Sequence, residues 1–325
     1  MQEPTSKGPA SIETPAHLSF AATPSGVAAK AVPVRHPGRW VATAVVLSGV
    51  IVLAKSVVTN PRYRWGVVGH NLFGTSIVNG VKLTLLLMFV AQFLGIIIGV
   101  GLAVARLSSN PVLSRGAWVY LWFFRGTPLL VQLIFWYYLS ALYPKVSIGI
   151  PFGPTFWSGN ANKFITPFAV AILGLALNEA AYMAEIVRGG IVGIDRGQSE
   201  AAKALGMTHI QTLKRIVLPQ AMKLIIPPTG NQMILMLKTT SLVSVLALAD
   251  LLYAAQTIYA RTFQTIPLLI VVSLWYLFIT SLLTIGQHFL EKRFSRGSTI
   301  ATPAPFGQRL RRNLTTIRRS KVADA

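Results

Sequence analysis

The stretch LTLLLMFVAQFLGIIIGVGLAVA, residues 83–105, decides the fold class. Its 23 residues carry no charge, which exceeds the roughly 20 apolar residues a helix needs to cross a bilayer's hydrocarbon core. Outward from it, residues 262–290 form a second long uncharged run, and residues 118–144 an aromatic-rich one with Arg125 inside. Residues 40–54 reach spanning length only with Lys55, whose stem can snorkel to the interface. Residues 164–187 and 224–249 span only by including Glu179 and Lys238 in mid-run. A charge in lipid is costly, so both side chains are expected to face protein or a wet cavity. The sequence therefore predicts an all-α integral membrane protein of about six transmembrane helices.

Composition agrees. Of 325 residues, 53% are apolar and 12% charged, whereas soluble domains carry about 25% charged residues. The 30 Lys and Arg outnumber the 9 Asp and Glu, for a formal charge of +21. Nucleic-acid binding and basic cytoplasmic loops both explain such an excess. With the N-terminus inside, 22 of these cations fall on the cytoplasmic side and six outside, which favours cytoplasmic termini and leaves no need for nucleic acid. Cys is absent, which excludes disulfides, thiolate catalysis and Cys-ligated metals. The five His are scattered and make no metal constellation. No Gly-Lys pair occurs, so the chain has no P-loop of its own.

Residues 1–38, rich in Pro, Ala, Ser and Thr, are expected to be a disordered cytoplasmic tail. They do not make a secretory signal, because the first apolar run starts too far in. Residues 144–163, with Pro151, Gly153 and Pro154, are expected to be an irregular outer loop. In the basic tail, residues 292–325, Arg309, Arg311, Arg312, Arg318, Arg319 and Lys321 surround Leu310, Leu314 and Ile317. That pattern suits either a helix lying on anionic lipid or a solvated segment.

The loop at residues 188–222 is the most informative. Asp195 with Gln198 and Thr208 with Gln211 fit the capping-box spacing, and Gly206 between them suits the left-handed end of a helix. Two short helices are predicted, followed by Pro219 before the next span. Ala201, Ala202, Ala204 and Leu205 form a small, smooth surface that suits close docking, although a plain connector lying on the membrane has the same composition.

Glu200-Ala201-Ala202, three residues, Gly206, nine residues, then Ile216-Val217-Leu218-Pro219 is similar to the EAA motif of ABC importer permeases. Residues 125–132, RGTPLLVQ, residues 181–190, AYMAEIVRGG, and residues 238–242, KTTSL, resemble the polar amino acid permeases of the histidine/glutamine/arginine type. The resemblance runs from about residue 79 to residue 291. It implies an ABC type I importer transmembrane domain with a five-helix core, to which residues 39–59 add one N-terminal helix. It also implies a coupling surface for a cytoplasmic ATPase made by Glu200, Ala201, Ala202, Gly206, Ile216, Leu218 and Pro219. Glu200 has a second reading, as a charge stabilising a helix N-terminus. Partners implied are ABC ATPase subunits, a periplasmic or lipid-anchored amino acid-binding protein, a second permease copy or paralogue, an amino acid substrate and membrane lipid. No cofactor is expected on this chain, because ATP and Mg belong to the ATPase. The implied location is a bacterial cytoplasmic (inner) membrane.

Substrate-pathway candidates follow from polar residues placed in mid-span. Asn178, Glu179, Tyr182 and Glu185 share one helical face. Lys238 precedes Thr239, Thr240 and Ser241, whose hydroxyls can bond their own backbone and loosen the helix. A loosened mid-membrane helix exposes backbone N–H groups to a substrate carboxylate. Lys238 to Ser241 are thus expected to hold the carboxylate, and Glu179 with Asn178 the ammonium or a cationic side chain. Alternatively, Lys238 and Glu179 form a structural pair. Arg125 reads as an interface anchor, and Trp118, Trp122, Tyr137 and Tyr138 as belt and packing aromatics. The competing function is an ion-gradient-driven secondary amino acid transporter, which would need no ATPase.

Overall fold

A computed structural model describes residues 37–150 and 154–294. The tail at residues 1–36 and the basic segment from residue 295 lie outside the described residues. Two compact units meet at Asn60 and Pro61. The first contributes one helix, α1 (Pro37–Thr59), apolar on all sides as a lipid-facing helix is.

The second unit holds α2 (Trp65–Leu72), α3 (Thr75–Leu107), α4 (Pro111–Gly126), α5 (Leu129–Leu142), α6 (Pro167–Val192), α7 (Arg196–Ala204), α8 (His209–Thr212), α9 (Leu218–Thr239), α10 (Leu251–Thr262) and α11 (Thr265–Phe294). Among the described residues four helices are long and apolar enough to span, and two bent pairs raise the number to as many as six. The helical membrane fold is therefore as expected, but two of the six predicted spans are not single helices.

The first departure is at residues 118–144. Here α4 and α5 meet at 105°. Pro128 has no N–H to give and pushes Thr127 into extended backbone, with φ −114° and ψ 143°, so α4 stops at Gly126. The second is at residues 224–249. Beyond α9 the chain tightens into a 3-10 stretch (Thr240–Leu246), turns through left-handed Ala247, and restarts as α10 at 47° to the helical run before it. Asp250 caps α10, accepting from Leu252 N at 3.2 Å and Tyr253 N at 2.9 Å. Helix α10 was not foreseen as a separate element.

The described residues of the 144–163 loop are not irregular. Strands β1 (Lys145–Gly149) and β2 (Thr155–Asn160) pair antiparallel, with Lys145 opposite Asn160.

The core lies between α3, α6, α9, α10 and α11, around Leu87, Ala91, Leu175, Leu237, Val271 and their neighbours. Close approach of α3 and α6 depends on Gly95 and Gly99, four residues apart on one face. A Cβ on Gly99 would lie 2.6 Å from Met183 Cβ, and one on Gly95 would lie 2.7 Å from Glu179 Cγ. Small residues at this spacing let membrane helices meet by van der Waals packing, which lipid does not otherwise favour.

Candidate functional site

The break between α4 and α5 is where the site begins. Ending α4 frees carbonyls that water cannot satisfy in a membrane. Gln132 Nε2 donates to Phe124 O at 3.0 Å and to Thr127 Oγ1 at 2.7 Å. Asn178 Nδ2, from α6, donates to the same Phe124 O at 3.0 Å and to Gln132 Oε1 at 3.2 Å. Two amides thus hold the broken helix against α6 and open a cavity beside it.

That cavity measures about 400 Å³ and is lined by Arg125, Thr127, Asn178, Glu179, Tyr182, Gln232 and Thr239, among others. Glu179 is its single carboxylate and is 5% exposed. It accepts from Gln92 Nε2 at 3.1 Å and from Gln232 Nε2 at 3.3 Å. Both neighbours are neutral, so the carboxylate is hydrogen-bonded but its charge is not matched. Among the described residues the ion pair is instead Arg188 with Glu185, at 2.7 Å. Arg125 lies over the Tyr182 ring, 5.7 Å from its centroid. Glu179 and Tyr182 are three residues apart on α6, so the carboxylate and the ring that Arg125 covers belong to neighbouring turns of one helix.

The predicted pathway residues divide accordingly. Asn178, Glu179, Tyr182 and Thr239 line this cavity. Glu185 lines a neighbouring one and is engaged by Arg188. Lys238 is exposed and outside both linings, so it neither pairs with Glu179 nor faces the cavity. Thr240 is fully buried and Ser241 half-buried. Where the helix was expected to loosen it instead tightens into the 3-10 stretch, with Thr240 Oγ1 donating to Leu237 O at 2.6 Å and Ser241 Oγ to Lys238 O at 2.7 Å. Gln92, Gln132 and Gln232 were not singled out from sequence. The available signal was the same as for Glu179, a polar side chain in an apolar run that needs a partner.

In the loop at residues 188–222, Gly206 has φ +77°. Gly206 N donates to Lys203 O at 2.9 Å and Met207 N to Ala202 O at 3.0 Å, a Schellman cap closing α7. Asp195 caps α7 through Gly197 N at 2.7 Å, without the expected reciprocal bond from Gln198. Thr208 and Gln211 do form a full capping box. Glu200 and Ala201 are exposed, and Leu205 is 82% exposed. Ala202 is buried, so it supports this surface from beneath and does not form part of it. Ile216 is half-buried, while Leu218 and Pro219 are exposed. Pro219 ends no helix: a π turn (Leu213–Val217) widens the backbone before it, and the run continues into α9. A π turn relieves the clash a proline makes with the carbonyl four residues back.

Residues 95–296 match the family model described as the binding-protein-dependent transport system inner membrane component. The chain belongs to this family. It is 46% identical over 280 residues to the arginine transport system permease protein ArgU of Corynebacterium glutamicum, covering 86% of each chain. It is 32% identical to the glutamine transport system permease protein GlnP of Escherichia coli, over 67% of this chain and 92% of that one. Among solved structures, an amino acid ABC transporter crystallised with histidines aligns with TM-score 0.58 and 34% identity, over 67% of this chain and 94% of that one. The MetNI methionine ABC transporter has TM-score 0.55 at 18% identity, over 67% and 96%, a likeness of fold. The chain is therefore a multi-pass membrane permease, with ATP hydrolysis and substrate capture supplied by other subunits. Nothing among these relatives supports a gradient-driven transporter.

Proposed function

We propose that this permease carries a cationic amino acid, arginine being the first to test, into the cell. The observation that carries the reading is Glu179: a buried carboxylate, donated to by two neutral amides, lining a cavity that Arg125 also lines. A guanidinium or ammonium on the substrate supplies the charge Glu179 lacks. Arg125 takes the α-carboxylate, the role first assigned to Lys238. The similarity to ArgU supports the same choice.

By the family's logic the permease works as a pair, with itself or a paralogue, in a bacterial inner membrane. The α7 loop docks on the ATPase, where ATP and Mg are bound. Exposed Leu205 and Ile210 (63% exposed) favour this, because apolar side chains presented on a loop mark a contact surface.

The test is uptake into proteoliposomes containing the permease, its ATPase and its binding protein. Arginine uptake should require ATP and should exceed glutamine uptake. Uptake that persists without the ATPase, driven by an ion gradient alone, sinks the reading. Orientation is tested separately. A reporter fused after Ala325 should be active only on the cytoplasmic side; activity confined to the periplasm would contradict the loop-charge argument.

A further inference from the structure

We propose that a second cavity, between the C-terminal parts of α3, α4 and α6, binds a phosphate group, that of an anionic phospholipid in the inner leaflet. The inference rests on the orientation given above but not on the identity of the transported amino acid. The cavity measures about 530 Å³. Its lining includes Arg106, Arg125 and Arg188, one carboxylate, Glu185, and two indoles, Trp118 and Trp122.

The charges do not balance. Glu185 is taken by Arg188, which donates from Nη2 at 2.7 Å and from Nε at 3.3 Å. Arg125, which also lines the first cavity, lies over the face of Tyr182, 5.7 Å from its centroid, and shares Glu185 with the other two guanidiniums only as a more distant charge. Arg106 Nη1 reaches Ser114 Oγ at a long 3.4 Å, and its Nε is buried with no acceptor at all. Three guanidiniums therefore face one carboxylate, and a buried donor is left open. Such a group is costly until something accepts from it. The deficit is permanent, so the occupant should be resident. A transported amino acid passes through, whereas membrane lipid is always present.

The chemistry of the deficit is specific. Guanidinium forks match phosphate oxygens two at a time, and do so better than ammonium groups. The place fits as well. Arg106 is in the last turn of α3, and Arg188 lies four residues, about 6 Å, from the end of α6, near headgroup depth. Trp118 and Trp122 are 50% and 65% exposed, so the cavity's side wall opens outward between amphipathic rings of the kind that settle at the headgroup level. Basic pockets between membrane helices on the cytoplasmic side hold lipid headgroups by these means.

The experiment uses the permease with its ATPase subunits in nanodiscs of phosphatidylcholine with 0 to about 30% phosphatidylglycerol. Bound phosphatidylglycerol is counted by native mass spectrometry after extraction. The wild type should retain it, and Arg106→Gln should retain about tenfold less, a single lost charge-assisted contact. Arg106→Lys, which keeps the charge but loses the fork, should fall between and guards against a folding failure of the first variant. Inorganic phosphate added to phosphatidylcholine nanodiscs distinguishes the source. Phosphate that raises the melting temperature through Arg106, with no retained lipid, keeps the site and assigns it to a soluble phosphate. Equal retention by all three proteins, with no phosphate effect, overturns the proposal.

Discussion

Gly206→Val should lower uptake by about fivefold or more while leaving the permease folded in the membrane. Gly206 sits at φ +77°, a region that costs a side-chain-bearing residue about 1–2 kcal/mol and a β-branched one more. Nothing lies within 4 Å of where its Cβ would be, so the substitution meets no steric clash. The penalty falls on the backbone alone, in the turn that sets α7 against α8. To escape it the turn must change, breaking the bonds from Gly206 N and Met207 N that close α7. A shift of 1–2 kcal/mol away from the docking geometry reduces its population roughly five- to thirtyfold. Uptake should fall by that factor or more, since a power stroke passes only through an element held in defined positions. Gly206→Ala, with a smaller penalty, should fall between. Glu200→Lys, on the exposed face of α7, should uncouple without altering the turn. Reconstituted Gly206→Val with normal uptake and normal binding-protein-stimulated ATPase activity would show that this loop does not couple.

Why this loop was legible and the central cavity only partly so has a physical basis. Caps and left-handed glycines are local: Thr208, Gln211 and Gly206 specify their own turns within a few residues, and the structure has them as read. Hydrophobic length is also local, which is why residues 83–105 and 262–290 were found as helices. The bends were not, because an apolar run reads the same whether straight or broken. Pro128 is the cue for the 105° turn, a local signal that hydrophobic length masks. Pro219 shows the opposite case: a π turn lets a helix continue that the proline is expected to delimit.

The site was misread in one respect and incomplete in another, for a common reason. Periodicity places Asn178, Glu179, Tyr182 and Glu185 on one face, but it does not say which helix faces them. Lys238, the other mid-run charge, was the natural partner on electrostatic grounds. It turns out to be exposed on α9, while Gln232, six residues earlier on the same helix, reaches Glu179. Tertiary packing chose the amides, and it did so partly through Gly95, whose missing side chain makes room for the Glu179 stem.

Glu179→Gln should selectively weaken transport of a cationic amino acid. The amide keeps the volume of the carboxylate, so contact with Gly95 and the bonds from Gln92 and Gln232 survive in part. Only the charge is removed. A charge-assisted hydrogen bond is worth about 1.5–3 kcal/mol, so arginine affinity should fall about tenfold to hundredfold, with neutral amino acids much less affected. If Glu179 were instead held by a protein cation, removing either partner would damage folding and removing both would restore it. No such cation is paired with it among the described residues, and Lys238 points elsewhere. Lys238→Met should therefore fold normally, and the double variant should show the sum of two separate effects with no rescue. Arg125→Gln supplies the complementary arm, lowering affinity for arginine and glutamine alike, because both carry the α-carboxylate. The measurement is uptake of the two amino acids at varied concentration, normalised to folded transporter. Arginine transport per folded molecule that is unchanged in Glu179→Gln would remove the substrate from this cavity while leaving the permease assignment untouched.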